Sequence, residues 1–75
     1  MNERNERLEY AQNLKVGDIF TFGSCGEGSI FLALCDPLVG RINPTRYCDL
    51  IVLRNTDSRV WQIVAGKYDP VRIYE

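Results

Sequence analysis

The sequence predicts a mainly β fold, a small five-stranded antiparallel barrel preceded by a short N-terminal α-helix. Runs of β-branched, aromatic and aliphatic residues recur along the chain, separated by glycine, proline, asparagine and aspartate. Most connections between these runs are short, which is typical of an all-β domain. We therefore expect a helical extension over residues 1–13 and one small barrel domain over residues 14–75.

The barrel is expected to begin at a tight turn over residues 14–18, Leu-Lys-Val-Gly-Asp. Gly17 supplies the backbone freedom that a tight turn needs. The carboxylate of Asp18 can accept a hydrogen bond from neighbouring backbone. The apolar residues of the segment 19–22, Ile-Phe-Thr-Phe, then start the core of the first strand.

Four more strands are predicted, at residues 30–35, 49–54, 59–64 and 71–74. The turn at 55–58 joins two of these strands into a hairpin. Residues 37–47 contain two prolines and a glycine and are expected to form a surface loop, a class of segment that often carries binding residues. These elements together favour a partly open barrel of the SH3-like kind.

Residues 2–13 are predicted to form the short N-terminal helix. Asn2 can cap it, and Glu3 and Arg7 form a favourable pair four residues apart. A helix of this length is marginal alone in water, so its narrow apolar stripe should pack on the barrel.

Residues 30–35, Ile-Phe-Leu-Ala-Leu-Cys, are apolar on both faces of the predicted strand. In an antiparallel sheet one face packs on the core and the other commonly meets water. A strand that is apolar on both faces needs a second cover. The N-terminal helix is one candidate for that cover, and a second subunit is the other.

Four segments resemble small uncharacterised proteins of bacteriophages and bacterial mobile elements. The segments are Leu-Lys-Val-Gly-Asp-Ile-Phe, Gly-Ser-Ile-Phe-Leu-Ala-Leu, Leu-Ile-Val-Leu-Arg-Asn-Thr-Asp-Ser and Asp-Pro-Val-Arg-Ile-Tyr. The resemblance covers residues 14–75 and departs from the pattern in the Asn-Thr-Asp-Ser turn, which lacks the usual glycine. It implies an SH3-like barrel, leaves a phage and a host origin both open, and assigns no site residue.

Several kinds of chemistry are excluded by composition. The chain has no histidine, which removes Ser-His-Asp and Cys-His catalysis and histidine-ligated metal sites. Cys25, Cys35 and Cys48 lack paired spacing and are expected to be free structural thiols in a reducing compartment. The glycine-rich segment 23–29 is followed by neither a helix nor a lysine, so it does not predict a phosphate site. We expect no enzyme, no cofactor and no metal.

Charge and hydropathy predict a cytoplasmic protein. The N-terminal residues are polar, so no signal peptide is expected, and no apolar run approaches the ~20 residues that span a bilayer. The net charge is −1, with the basic excess in the second half of the chain. Such a balance gives no general attraction to nucleic acid or to an anionic membrane.

Protein binding is the favoured functional hypothesis. The chain carries more apolar surface than one small core can absorb, and exposed apolar patches mark interfaces. We expect a self-associating module, a homodimer or larger, of the kind that acts as a phage accessory protein on a host factor or a defence system. The candidate interface residues are Phe31, Leu38, Val39, Ile42, Val60 and Val64.

The alternative is a nucleic-acid-binding barrel, in which arginines contact phosphates and aromatic rings stack on bases. Its candidate contacts are Arg41, Arg46, Tyr47, Arg54, Arg59, Arg72 and Tyr74. The acidic balance counts against it, because phosphate binding depends on uncompensated positive charge. A third hypothesis is an oligomer that encloses an anionic nucleotide between its arginine-bearing loops.

Overall fold

A computed structural model describes residues 6–22 and 29–75 of the chain. These residues form one sheet of seven antiparallel strands and a single 3-10 turn at Ala11–Asn13. The strands are β1 Glu6–Tyr10, β2 Ile19–Phe22, β3 Phe31–Ala33, β4 Leu38–Val39, β5 Tyr47–Arg54, β6 Val60–Gly66 and β7 Pro70–Tyr74. The mainly β class is confirmed, with seven strands in place of the five predicted. Within the described residues, no helix has the length and apolar character that crossing a membrane requires.

The strands lie side by side in the order β1-β7-β2-β3-β5, and β5 also pairs with β4 and β6. β3 pairs with the end of β5, where Phe31 lies opposite Arg54, and β4 pairs with its beginning, where Leu38 lies opposite Asp49. β6 pairs with β5 over residues 47–53. β3 and β4 therefore share one edge of β5, and β6 occupies the other.

The predicted N-terminal helix is wrong over its described part. Residues 6–10 form the extended strand β1, which pairs with β7 over its whole length, from Glu6 opposite Tyr74 to Tyr10 opposite Pro70. Pairing with β7 satisfies the backbone groups that a helix would satisfy internally, and helix propensities are too small to oppose such tertiary pairing. Residues 2–5 of the predicted helix lie outside the described residues.

The predicted turn before β2 is confirmed. Gly17 has a φ of +92°, in the region that glycine adopts without steric cost. The Asp18 carboxylate accepts a hydrogen bond of 2.9 Å from the N–H of Lys15. A second carboxylate, that of Asp36, accepts one of 2.9 Å from the N–H of Val16. The two carboxylates fix the direction in which β2 enters the sheet.

The core lies on one face of the sheet, because alternate residues of a strand point to opposite faces. β5 places Cys48, Leu50 and Val52 on this face, and β7 places Val71 and Ile73 there. The other buried apolar residues are Ala11, Leu14, Phe20, Phe31, Ala33 and Ala65. The 3-10 turn therefore closes one end of the core.

The predicted loop over 37–47 contains β4 and a turn held by its own hydrogen bonds. The N–H of Gly40 donates to the carbonyl oxygen of Tyr47 at 3.2 Å, and the N–H of Tyr47 donates to that of Asn43 at 2.9 Å. A Cβ at Gly40 would collide with the backbone carbonyl of Tyr47, so only glycine fits this close approach.

Two neighbours on β2 test which face carries the core. Phe20 is fully buried against the rings of Phe22 and Phe31, whereas Ile19 is 46% exposed. We expect Phe20→Ala to lower the free energy of unfolding by about 3–5 kcal/mol, because it leaves a cavity. Ile19→Ala should cost less than half as much. Urea denaturation of both variants measures the difference, and equal losses would contradict the assigned faces.

Candidate protein-interaction surface

The face of the sheet opposite the core carries a row of apolar side chains that crosses four strands. Ile19 on β2 lies opposite Leu32 on β3, Leu32 lies opposite Leu53 on β5, and Leu53 lies opposite Val60 on β6. Ile19 is 46% exposed and Val60 is 63% exposed, while the two residues between them are half-buried. We call these four residues the outer apolar row.

A shallow depression of about 200 Å³ lies along the outer apolar row. Its lining is formed mainly by apolar side chains, with polar groups at one end: Ile19, Ile30, Phe31, Leu32, Leu53, Arg54, Asn55 and Ser58. At the opposite end of the row, Tyr74 lies across from Ile19. The row is thus an apolar surface with polar residues at both of its margins.

Apolar surface also continues toward the other end of β5. Leu38 on β4 and Val64 on β6 both lie opposite Asp49, one on each side of it. Each of these two apolar residues is 50% exposed, whereas Asp49 is only 4% exposed. The charged residue in this part of the outer face is therefore largely withdrawn from the surface.

The sequence-predicted interface residues divide between two faces of the sheet. Leu38, Val60 and Val64 lie on the outer face with the outer apolar row. Val39 lies opposite the core residue Cys48, at 73% exposure, and Ile42 is 79% exposed in the following loop. The structure therefore unites three of the predicted residues on one face and leaves these two apart.

Phe31 directs its ring into the core, although it also contributes to the lining of the depression along the outer apolar row. It is 6% exposed, and its ring centroid lies 5.6 Å from that of Phe20 and 5.8 Å from that of Phe22. The register places Phe31 opposite Phe20, so both side chains point to the core. Leu32, which alternates with Phe31 along β3, faces outward.

Three members of the outer apolar row, Ile19, Leu32 and Leu53, were not singled out as interface residues. The signal that points to this region is the two-sided apolar character of residues 30–35. That pattern shows that both faces of the strand need to be covered, but it does not show whether the odd-numbered or the even-numbered side chains face the core. β1 does not provide the cover, because it lies at the far side of β7.

β6 is an edge strand in the described part of the sheet, with β5 as its one neighbour. In an antiparallel pair, successive residues direct their N–H and C=O groups alternately toward and away from the partner strand. The N–H of Arg54 donates to the carbonyl oxygen of Arg59, and the N–H of Lys67 donates to the carbonyl oxygen of Arg46. These bonds show that the odd-numbered residues of β6 direct their N–H and C=O groups toward β5. Val60, Gln62 and Val64 therefore direct their N–H and C=O groups away from the sheet.

The free edge of β6 lacks the features that normally block such an edge. Its sequence, Val-Trp-Gln-Ile-Val-Ala-Gly, contains no charged residue and no proline. Natural edge strands are commonly protected by charges, prolines or bulges against pairing with another chain. Among the contacts of residues 6–22 and 29–75 with β6, the N–H of Gly66, at the end of the strand, is the one bound to a side chain, the Asp69 carboxylate at 2.9 Å. Three residues of the strand thus offer an unprotected pairing edge.

The residues proposed to contact nucleic acid do not converge on one groove. Arg41, Arg46 and Tyr47 lie at the beginning of β5 and in the loop before it, whereas Arg54 and Arg59 lie at the opposite end of the hairpin. The length of β5 separates the two groups by about 23 Å. The remaining candidates, Arg72 and Tyr74, are on β7.

Two of these arginines have acidic partners. The guanidinium of Arg54 lies 4.4 Å from the centre of the Trp61 ring, and its Nη2 donates to the Asp57 carboxylate at 2.6 Å. That hydrogen bond lowers the pKa of Asp57 from its ordinary value. The Nε of Arg72 lies 3.9 Å from a carboxylate oxygen of Glu6. Arg54 is therefore held by two partners, whereas the exposed Arg72–Glu6 pair is a weak contact.

The Cys48 thiol is not activated as a nucleophile. Cys35 and Cys48 are free, and Cys25 lies outside the described residues. Burial raises the pKa of the Cys48 thiol, and the negative charge of Asp49 raises it further. A raised pKa keeps a thiol protonated and unreactive at neutral pH. Among residues 6–22 and 29–75, no group of three or more acidic or cysteine side chains could hold a metal ion.

Comparison with known proteins adds no family to this picture. No protein-family model, curated protein or solved structure matches the chain. A functional argument therefore has to come from the chain's own geometry, which presents an apolar outer face and an unprotected strand edge.

The Arg54–Asp57 contact is tested by titration. We expect the pKa of Asp57, followed by carboxyl NMR, to rise toward its ordinary value in Arg54→Met, because the hydrogen bond that lowers it is lost. In the wild type this contact stabilises the fold above the ordinary pKa of aspartate, and that contribution is lost as the pH falls through the lowered value. Glu9, whose pKa is lowered chiefly by Asn13, is the internal control and should not change. An unchanged Asp57 would contradict the assignment.

Proposed function

We propose that this protein is a non-enzymatic protein-binding module that associates with itself and presents its outer apolar surface to protein partners. The observation that carries the proposal is the outer apolar row, which crosses four strands with exposed residues at both ends. Contiguous apolar surface of this kind costs free energy while it is exposed to water, and its burial favours association.

The location of β1 strengthens the proposal. The N-terminal helix was the one part of the same chain that the sequence predicted to cover the second apolar face of residues 30–35. β1 instead extends the sheet beyond β7. Of the two covers predicted from the sequence, a second protein chain is the one that remains for Leu32 and Leu53.

We further propose that the sheet curls into an SH3-like barrel. The strand order β7-β2-β3-β5-β6 supports this idea. Two hydrogen bonds also support it. The N–H of Ala11 donates to the carbonyl oxygen of Asp69 at 2.9 Å, and the N–H of Gln12 donates to the carbonyl oxygen of Lys67 at 3.1 Å. These bonds tie the 3-10 turn to the connection that follows β6, and so draw the end of that strand toward the start of β2.

The resemblance of residues 14–75 to small bacteriophage and mobile-element proteins extends the proposal to biological context. On this view the module is an accessory protein whose further partner is a host protein, such as a component of a bacterial defence system. The same apolar surface would serve as the contact.

Nucleic-acid binding has less support from the geometry. Its candidate residues are divided between the two ends of β5 and β7, and Arg54 and Arg72 are already close to carboxylates. A positively charged groove that follows a backbone needs clustered, uncompensated charge. No arrangement in the described part of the chain favours this function over protein binding.

The molar mass in solution tests self-association. We expect light scattering to give twice the 8.6 kDa of the chain over a dilution series, with little change between low and high salt, because apolar burial is not screened. Val60→Lys should shift the protein to the monomer, since it places a charge at the exposed end of the outer apolar row.

Thr56→Lys is the matched control, because it adds the same charge at an exposed position of the neighbouring turn. This variant should remain associated. A wild-type protein that is monomeric throughout the dilution series would overturn the proposed self-association.

A further inference from the structure

We propose that two copies of this chain pair through their β6 strands, antiparallel and across a two-fold axis at Gln62. The inference rests on the proposed function, since it names the surface by which self-association occurs. It begins from the free edge of β6, where three residues direct their N–H and C=O groups away from β5. A second copy offers the same groups in the same spacing.

Backbone geometry selects the register. Hydrogen-bonded pairs across the new contact have to join outward-facing residues, which are Val60, Gln62 and Val64. With the axis at Gln62, Val60 of one copy lies opposite Val64 of the other, and Gln62 lies opposite itself. Each such pair exchanges two hydrogen bonds, so three pairs give six. If the axis moves by one residue in either direction, one of the three outward-facing residues has to pair with a residue outside this set.

Side chains agree with this register on both faces of the sheet. The outer face brings valine against valine, and it brings the two Gln62 amides together, where each can donate to and accept from the other. On the core side, Trp61 of one copy lies opposite Ile63 of the other. All these contacts are uncharged, so pairing buries no unpaired ion.

Charge disfavours a neighbouring register. With the axis at Ile63, Arg59 of one copy would lie opposite Lys67 of the other, since both residues still bond to β5 at the ends of β6. Like charges in opposition destabilise strand pairing. The Gln62 register gives the full set of backbone bonds without that opposition.

Another terminal strand of the described sheet, β1, is less suited to pairing. β1 has the sequence Glu-Arg-Leu-Glu-Tyr, with three charged residues in five. Charged side chains are a common protection of sheet edges. If β6 of one copy paired with β1 of another, these charges would lie against a neutral strand. The neutral edge of β6 is complementary to itself.

Pairing through β6 would join the two outer faces into one surface. Val60 ends the outer apolar row in each copy, and in the dimer it lies against Val64 of the other. The two rows and the Leu38–Val64 surfaces then form a single two-fold-symmetric apolar platform, available to a further protein.

Site-directed cross-linking tests the proposed register. In a background with Cys25→Ser and Cys35→Ser, Gln62→Cys should form a covalent dimer with oxidised glutathione. Opposite residues of a hydrogen-bonded pair have Cα atoms about 5.5 Å apart, which suits a disulfide. Thr56→Cys, in the exposed turn, should stay monomeric on a denaturing gel.

A mixed experiment makes the register explicit. Val60→Cys and Val64→Cys should each fail to cross-link alone, because equal positions lie about 14 Å apart along the paired strands. A mixture of the two should cross-link, because those positions are opposite each other. Cross-linking in each single variant as readily as in the mixture would overturn the register.

Ile19→Lys separates this inference from the proposed function. Ile19 lies on the outer apolar row, three strands away from β6. Edge pairing predicts that this variant keeps twice the mass of the chain, whereas packing of two outer faces against each other predicts a monomer. A monomeric Ile19→Lys without the Gln62→Cys cross-link would overturn pairing through β6 and leave self-association standing. A monomeric wild type would overturn both.

Discussion

The need of every strand edge for hydrogen-bond partners is the constraint on which the rest of this structure depends. Backbone N–H and C=O groups must bond to another strand, to a side chain or to water. β1 covers β7, and β4 continues along β5 where β3 has ended. β6 covers the other edge of β5 and is itself left with an open edge in the described sheet. Its neutral sequence leaves that edge available to a second copy.

Much of the sheet could be predicted from the sequence. The predicted strands at 49–54, 59–64 and 71–74 overlap β5, β6 and β7, because each is rich in β-branched or aromatic residues and is bounded by turn residues. β1 could not be predicted in the same way. Its glutamates and arginine satisfy helical spacing rules, and its extended form comes from pairing with β7, more than fifty residues further along the chain. Contacts between distant segments are absent from local patterns.

The outer face was only partly predictable for a related reason. Residues 30–35 are apolar at every position, so alternation cannot say whether Phe31 or Leu32 faces the core. The register with β2 decides it, since Phe31 lies opposite the buried Phe20. The same register places Ile19, which the sequence assigns to the core, on the outer face. The surplus of apolar residues thus predicted an interface, while its location required the pairing of strands.

The most direct test of pairing through β6 is amide hydrogen exchange of the wild-type protein, followed by NMR over a range of protein concentrations. The amide of Ile63 bonds to β5 within each copy and should exchange slowly at every concentration. The amide of Gln62 should exchange slowly in the dimer and quickly after dilution to the monomer, because its partner is the second copy. Rapid exchange of Gln62 at concentrations where the protein is dimeric would contradict the account.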